Sequence, residues 1–460
     1  MTMTAFGEIT EGAPPPVEIE QIADQLVAFA RAASRVELDE VPQQTRDHAA
    51  LVIADTIGVI KAGAEREEFR ALMRDEHGLF GTAGGGAAQT AFDPSRRVSP
   101  AAAAFMNGSA GNAPEMHELI EGGGMGGHPA VHIVPAALAV AQTLHSSGRD
   151  LLRAFIAGYE VDARLFHMLR LHEAVHPHGN VAAVGAAVAV ATLLGSDAGQ
   201  AALMASSLPL LSLWEAGLEG ATVQHAYTGI GASMGVVANA MASAGLVGSR
   251  RAFAIAYTGV MGELVDRGGL DHEFDPKHLL IEQNLTKQYS CCARAFPAVH
   301  ATLGVEAVDL GSVRRIVARV DPLALRMTGR GDPRTSLAAR FSLEYSIATA
   351  LVHGHADPSA FDDLRPDAVA LARLVEVEIV PAFAGASGIA GRQAEIEVVD
   401  ASGSHRGAAT GGHLDGQSGA AAFSAKFEAL TGELSHPLND RALDALRDLE
   451  RVPDVYDLLG

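Results

Sequence analysis

Apolar residues recur at spacings of three and four over residues 18–33 and again over 41–64, the period of a helix with a buried face. In the second stretch, 45–62 (TRDHAALVIADTIGVIKA) is apolar on most sides, as a helix inside a bundle is. The same period predicts helices over 99–107, 130–144, 148–171, 180–194, 198–211, 229–244 and 249–260, with Gly195-Ser196-Asp197 as a turn. No convincing strand precedes about residue 275, so this part reads as all-helical.

The pattern changes after about residue 278. Residues 313–320 (VRRIVARV), 374–380 (LVEVEIV) and 394–399 (AEIEVV) alternate as half-buried strands do. The DASG at 400–403 is a hairpin turn leading to 405–410. Helices are expected at 290–303 and 336–352, and helical pattern returns over 418–459. The chain therefore reads as mainly α. A large helical domain is expected from 18–278 together with 411–460, a smaller inserted α+β domain from 279–410, and a flexible leader from 1–17. There is no internal repeat and no heptad pattern.

Composition narrows the class. Of 460 residues, 48% are hydrophobic and 49 are glycine, with very many alanines, which suits close-packed helices and not disorder. A formal charge of −21 argues against nucleic acid, which needs clustered Lys and Arg. Cys291 and Cys292, the two cysteines, are adjacent and make neither an iron–sulfur nor a structural zinc site unaided, so a reduced, cytoplasmic protein is expected. The acidic, Pro-rich start is no signal peptide. Apolar runs such as 181–194, about 14 residues, are too short to span a bilayer, so no membrane partner is expected.

The candidate chemistry concentrates in residues 107–141, NGSAGNAPEMHELIEGGGMGGHPAVHIVPAALAVA. Glu115, His117, Glu118, Glu121, His128 and His132 sit around a Gly-rich loop between two apolar helices, an arrangement suited to proton transfer. His128 and His132 stand four apart, but HPAVH lacks the glutamate of a zincin helix, so no metal is assigned. Trp214 reads as core. The run HEAVHPHG supplies His172, His176 and His178, of which His172 and His178 fit a solvated loop most readily.

Several segments in order resemble the 2-methylcitrate dehydratase / cis-aconitate decarboxylase (MmgE/PrpD) family. Asp55 to Gly63 is similar to its D(T/S)xGxxxxG helix, and Asn107-Gly108 to its NG opening. His128-Pro129-Ala130 with Val134-Pro135-Ala136 resembles HP…xxPAxxA, and Gly158-Tyr159-Glu160-Val161 resembles GYEV. His176-Pro177-His178-Gly179 resembles HPTG, followed by Gly185-Ala186-Ala187 and Leu193-Leu194-Gly195. Lys287 to Cys292 resembles KPYPCC, 339–345 resembles AKFSxxY, and Lys426-Phe427 the closing KF. The resemblance covers roughly residues 18–450. It implies the two-domain fold read above, a homodimer, and a lyase or epimerase (iminodisuccinate epimerase-like) working on small carboxylic acids without metal or organic cofactor. A non-catalytic binding member is the alternative.

The resemblance implies catalytic roles for His128, His176, Lys287 and Glu115, and substrate contacts for His117, Glu118, Gln224, His225 and Tyr345. The sequence departs from the family in four places, one being the Gly122–Gly127 run that lengthens the loop before His128. Glu115-Met116-His117-Glu118 replaces the acidic DFDD turn, Leu119 replaces a threonine, and Gln224 replaces the lysine of GTxxK. A lost cation suggests a substrate with fewer carboxylates, or a neutral carbonyl, with protonated His225 as a substitute charge.

Overall fold

The computed structural model describes residues 16–74, 86–122, 125–266, 268–271, 273–329, 331–385, 388–415, 418–432 and 434–460. Residues 1–15 of the expected leader and 123–124 of the glycine run lie outside that set.

Small residues decide how the helices of this mainly α protein meet. Helix Gly148–Met168 crosses helix Ala182–Leu194 where Gly158 faces Gly185. A Cβ on Gly158 would sit 2.4 Å from the Gly185 carbonyl oxygen. Helices Pro100–Asn112 and Ala226–Ser243 approach as closely, since a Cβ on Gly229 would lie 2.1 Å from Ser109 Oγ. Such contacts gain dispersion energy at close range without large side chains.

These helices share one apolar core with Pro16–Ala33, Gln43–Ala64, Ala130–Leu144 and Ala198–Ser206. The chain's end joins it through Leu438, Leu446, Leu449, Val455 and Leu458. Helix Gly419–Thr431 lies on Gln43–Ala64. There Lys426 Nζ meets Asp55 Oδ1 at 2.7 Å and the Met116 carbonyl at 2.8 Å, and Gly58 leaves room for Phe427. Two motifs far apart in sequence, around Asp55 and at Lys426-Phe427, are thus one contact.

A second core forms on a four-stranded sheet ordered Ser404–Thr410, Gln393–Val399, Arg315–Val320, Val375–Ile379. The last pair is parallel, with Ile316 opposite Val375, and the others are antiparallel. Ile316, Ala318, Ala394, Ile396 and Val398 face helix Phe296–Leu303, on which helix Leu343–His353 packs in the same core. The other face carries ion pairs such as Arg315–Glu376 and Arg319–Glu378.

The expectation of no strand before about residue 275 is wrong. Ala88–Gln89 pairs with Arg97–Val98, Ile120–Gly122 with Met125–Gly127, and Leu169–Leu171 with Gly262–Leu264. These strands are two or three residues long, too short for alternation to register. The third ribbon ends the helix expected over 148–171 at Met168. The helix expected over 198–211 stops at Ser206, and that over 249–260 is Arg250–Ile255 followed by the π-helical turn Ala256–Val260. The helix expected over 336–352 breaks, and Ser342 restarts it by accepting the Tyr345 N–H. Among the described residues no helix is long and apolar enough to cross a membrane.

Candidate active site

Helix Pro100–Asn112 delivers the acidic turn, and Ser99 caps its start by accepting the Ala102 N–H. Past its end, Glu115 adopts φ 55°, the left-handed region that a residue with a Cβ rarely enters. Such a backbone persists where the surroundings over-determine it. Lys287 Nζ donates to Glu115 Oε1 at 2.7 Å, with both side chains buried. Ser290 Oγ holds the Pro114 carbonyl, and Lys426 holds that of Met116.

Glu118 sets the next part. Its Oε1 accepts the Ala130 N–H at 2.6 Å, and its Oε2 accepts Tyr159 Oη at 3.0 Å and Asn284 Nδ2 at 2.9 Å. Burial pushes its carboxyl up to about 8, against the Ala130 and Tyr159 donors that favour the charged form. The Glu118 carbonyl accepts His128 Nδ1–H at 2.6 Å, so the inferred tautomer leaves a lone pair on His128 Nε2. His132 locks the backbone beneath: its Nδ1–H donates to the His128 carbonyl, and its Nε2 accepts the Gly179 N–H at 3.0 Å.

His176 is the complement of His128. Its Nδ1 accepts the His178 N–H at 3.2 Å, which places its proton on Nε2. Burial, then the Lys287 charge, hold it down to about 3, and the same two causes hold His128 well below the usual range. Both rings are neutral near pH 7. One offers a lone pair and the other an N–H.

Glu115, His128, His176 and Lys287 all line one cavity of about 270 Å³, together with Leu119, Cys292 and Trp214. Trp214, expected in the core, packs on the His176 ring at 4.0 Å between centroids and forms cavity wall. Arg170, Arg294 and Arg326 also line the cavity and were not singled out in the sequence; no motif marks them. Their glutamate partners are Glu263, Glu121 and Glu173, as Glu115 is for Lys287.

His117 and Glu118 are fully buried and do not line the cavity, although the His117 ring lies 4.4 Å from that of His128. Three expected substrate contacts fall elsewhere. Tyr345 starts a helix that faces the second core, and its hydroxyl meets the Asp363 carbonyl and Arg365 N–H. His225 packs near Phe69 with its ring centroid 6.0 Å away. Burial, with Arg66 and Arg340 adding, holds it down to about 3, so it supplies no charge. Gln224 is buried against Asn112, whose Nδ2 donates to its carbonyl and its Oε1. His178, expected in solvent, is buried with its ring centroid 4.9 Å from that of His128.

The imidazoles that come within ligand distance are not His128 and His132, since His132 spends both nitrogens on backbone. They are His117, His128 and His178, each with a ring nitrogen within 4.8 Å of the others.

Residues 27–269 match the MmgE/PrpD N-terminal domain and residues 289–450 the MmgE/PrpD C-terminal domain. The chain belongs to the MmgE/PrpD family. It is similar to cis-aconitate decarboxylase of Homo sapiens, 24% identical over 386 residues that span 77% of this chain and 76% of that one. A shorter match, 32% over 114 residues and 22% of each chain, is to cis-aconitate decarboxylase of Mus musculus. Within this MmgE/PrpD member, the two matched parts meet at the cavity, since His128 and His176 come from the first and Arg294 and Arg326 from the second.

Proposed function

We propose that this MmgE/PrpD protein is a lyase, a dehydratase or decarboxylase, that moves a proton at a carbon next to the carboxylate or carbonyl of a small acid. The observation that carries the reading is the opposed protonation of two neutral imidazoles on one cavity. His128 Nε2 takes the proton, His176 Nε2–H donates to the oxygen where charge develops, and Lys287 holds a carboxylate. Glu115 positions Lys287 by accepting its Nζ–H at 2.7 Å. These groups belong to the chain itself, and the reading needs no organic cofactor.

The substrate carries few carboxylates. Every Lys and Arg lining the cavity already has a glutamate partner. Lys287 and Glu115 are buried, so a carboxylate that draws Lys287 away leaves Glu115 buried and unpaired, which costs about 3–5 kcal/mol, whereas the Arg170 and Arg326 pairs are solvent-exposed and weak. The test is turnover of mono-, di- and tricarboxylates followed by NMR. A monocarboxylate or oxo-acid turned over well, with cis-aconitate and 2-methylcitrate poor, is the expected outcome. Efficient turnover of either tricarboxylate, at kcat/KM of about 10⁴ M⁻¹s⁻¹ or more, would overturn the assignment of substrate class.

The protein is further read as a cytoplasmic homodimer. Leu208, Leu211, Val223, Ile230, Val237 and Leu246 leave apolar surface exposed around helix Ala226–Ser243, which supports a second copy as its cover.

A further inference from the structure

We propose that His117, His128 and His178 form a binding site for one divalent cation of the zinc class, and that the bound ion blocks proton transfer at His128. The second half rests on the function proposed above; the first does not.

The three side chains come from separate parts of the chain: the acidic turn, the residue before Pro129, and the loop ahead of helix Ala182–Leu194. Their rings stand edge to face, with centroids 4.4, 4.9 and 5.1 Å apart. One nitrogen from each lies within 4.8 Å of the other two. A tetrahedral ion with nitrogen at about 2.0–2.1 Å needs those nitrogens about 3.3–3.4 Å apart. Side-chain torsion of rings already in contact covers that difference.

Two further observations point to a ligand. His117 and His178 are almost wholly buried, yet neither ring nitrogen of either has a hydrogen-bond partner among the described residues. Buried polar groups ordinarily find partners, and two neighbouring imidazoles that find none retain lone pairs to give. His128 is prepared differently. Its Nδ1–H is fixed on the Glu118 carbonyl, the arrangement that orients a metal-bound histidine and leaves Nε2 to coordinate. Three nitrogen donors and no carboxylate favour zinc, cobalt, nickel or copper over magnesium or calcium. The nearby Lys287 charge is met by Glu115. Three protein ligands leave a tetrahedral ion one further position, for water or a substrate oxygen.

His128 Nε2 cannot hold an ion and accept a proton at once. Zinc and turnover are therefore expected to exclude each other.

Calorimetric titration of the chelator-stripped full-length protein with Zn²⁺ tests binding. One equivalent bound at micromolar affinity or tighter is expected, weakened at least tenfold in His117→Ala and in His178→Ala. His278→Ala, which removes the exposed imidazole paired with Asp275, should bind as wild type does. Because buried substitutions can unfold a protein, the Co²⁺ spectrum of the wild type gives a second readout. Intense tetrahedral d–d bands and paramagnetically shifted imidazole N–H signals from three histidines are expected. No stoichiometric binding, binding unchanged in both buried variants, or a weak octahedral spectrum without imidazole shifts overturns the site. Binding as described without loss of activity overturns only the blocking role. Absence of any lyase activity in the chelator-stripped protein, while it still binds one equivalent of Zn²⁺ as described, overturns the proposed function and leaves the site standing.

Discussion

Glu118 shows how one side chain organises the cavity without lining it. It accepts the first N–H of helix Ala130–Leu144, meets Tyr159 and Asn284, and orients His128 through its carbonyl. Its carboxyl stands near 8 when folded against an ordinary 4.5. Between those values the native state keeps a proton that the unfolded chain has released. Stability from this group is therefore full below about pH 4.5 and falls as pH rises towards 8, by up to about 1.4 kcal/mol per pH unit. Denaturant unfolding of wild type and Glu118→Gln from pH 5 to 9 checks this. The difference between the two should shift against wild type with rising pH and level off above about 8; parallel curves would contradict it. The sequence marked Glu118, His117 and His128 as neighbours of interest. It did not show that Glu115 would turn left-handed, nor that His178 would be buried, because both depend on partners distant in the chain.

At the scale of elements, the long periods were legible and the short pairings were not. The helices at 130–144 and 182–194 and the strands of the four-stranded sheet stand close to where periodicity puts them, because each buries one face or all of itself. The ribbon of Leu169–Leu171 with Gly262–Leu264 joins residues some ninety apart and left no local trace. Tyr345 and His225 were misplaced for a related reason: a motif tells that a residue sits near a helix start, and not which core that start faces. The GYEV segment, by contrast, has a packing role that distances make explicit. Gly158→Ala puts a methyl group against the Gly185 carbonyl and should destabilise the protein by about 1–3 kcal/mol or more. Thermal and denaturant unfolding measure it, and a loss below about 0.5 kcal/mol would mean that the helices part easily.

For the whole molecule, the return of the chain's end to the first core ties the two motif sets together. Lys426 spans Asp55 and the Met116 carbonyl, so the far end of the sequence holds the turn that carries Glu115. Ile230 and Val237 are seven apart on helix Ala226–Ser243 and exposed, with Val223 exposed in the turn before it, which suits a face awaiting a copy of itself. Sedimentation should find a dimer, and Val237→Glu should shift it to monomer with unchanged helix content; a wild-type monomer at working concentrations would contradict the homodimer. Whether this cavity moves protons on small acids is decided by NMR in D₂O. Wild type should place solvent deuterium on the carbon beside the carboxylate of at least one small acid, with or without onward elimination. Lys287→Met and His128→Asn should lower that rate by about 10²-fold or more. No exchange with any acid, or exchange undiminished in both variants, would contradict the account.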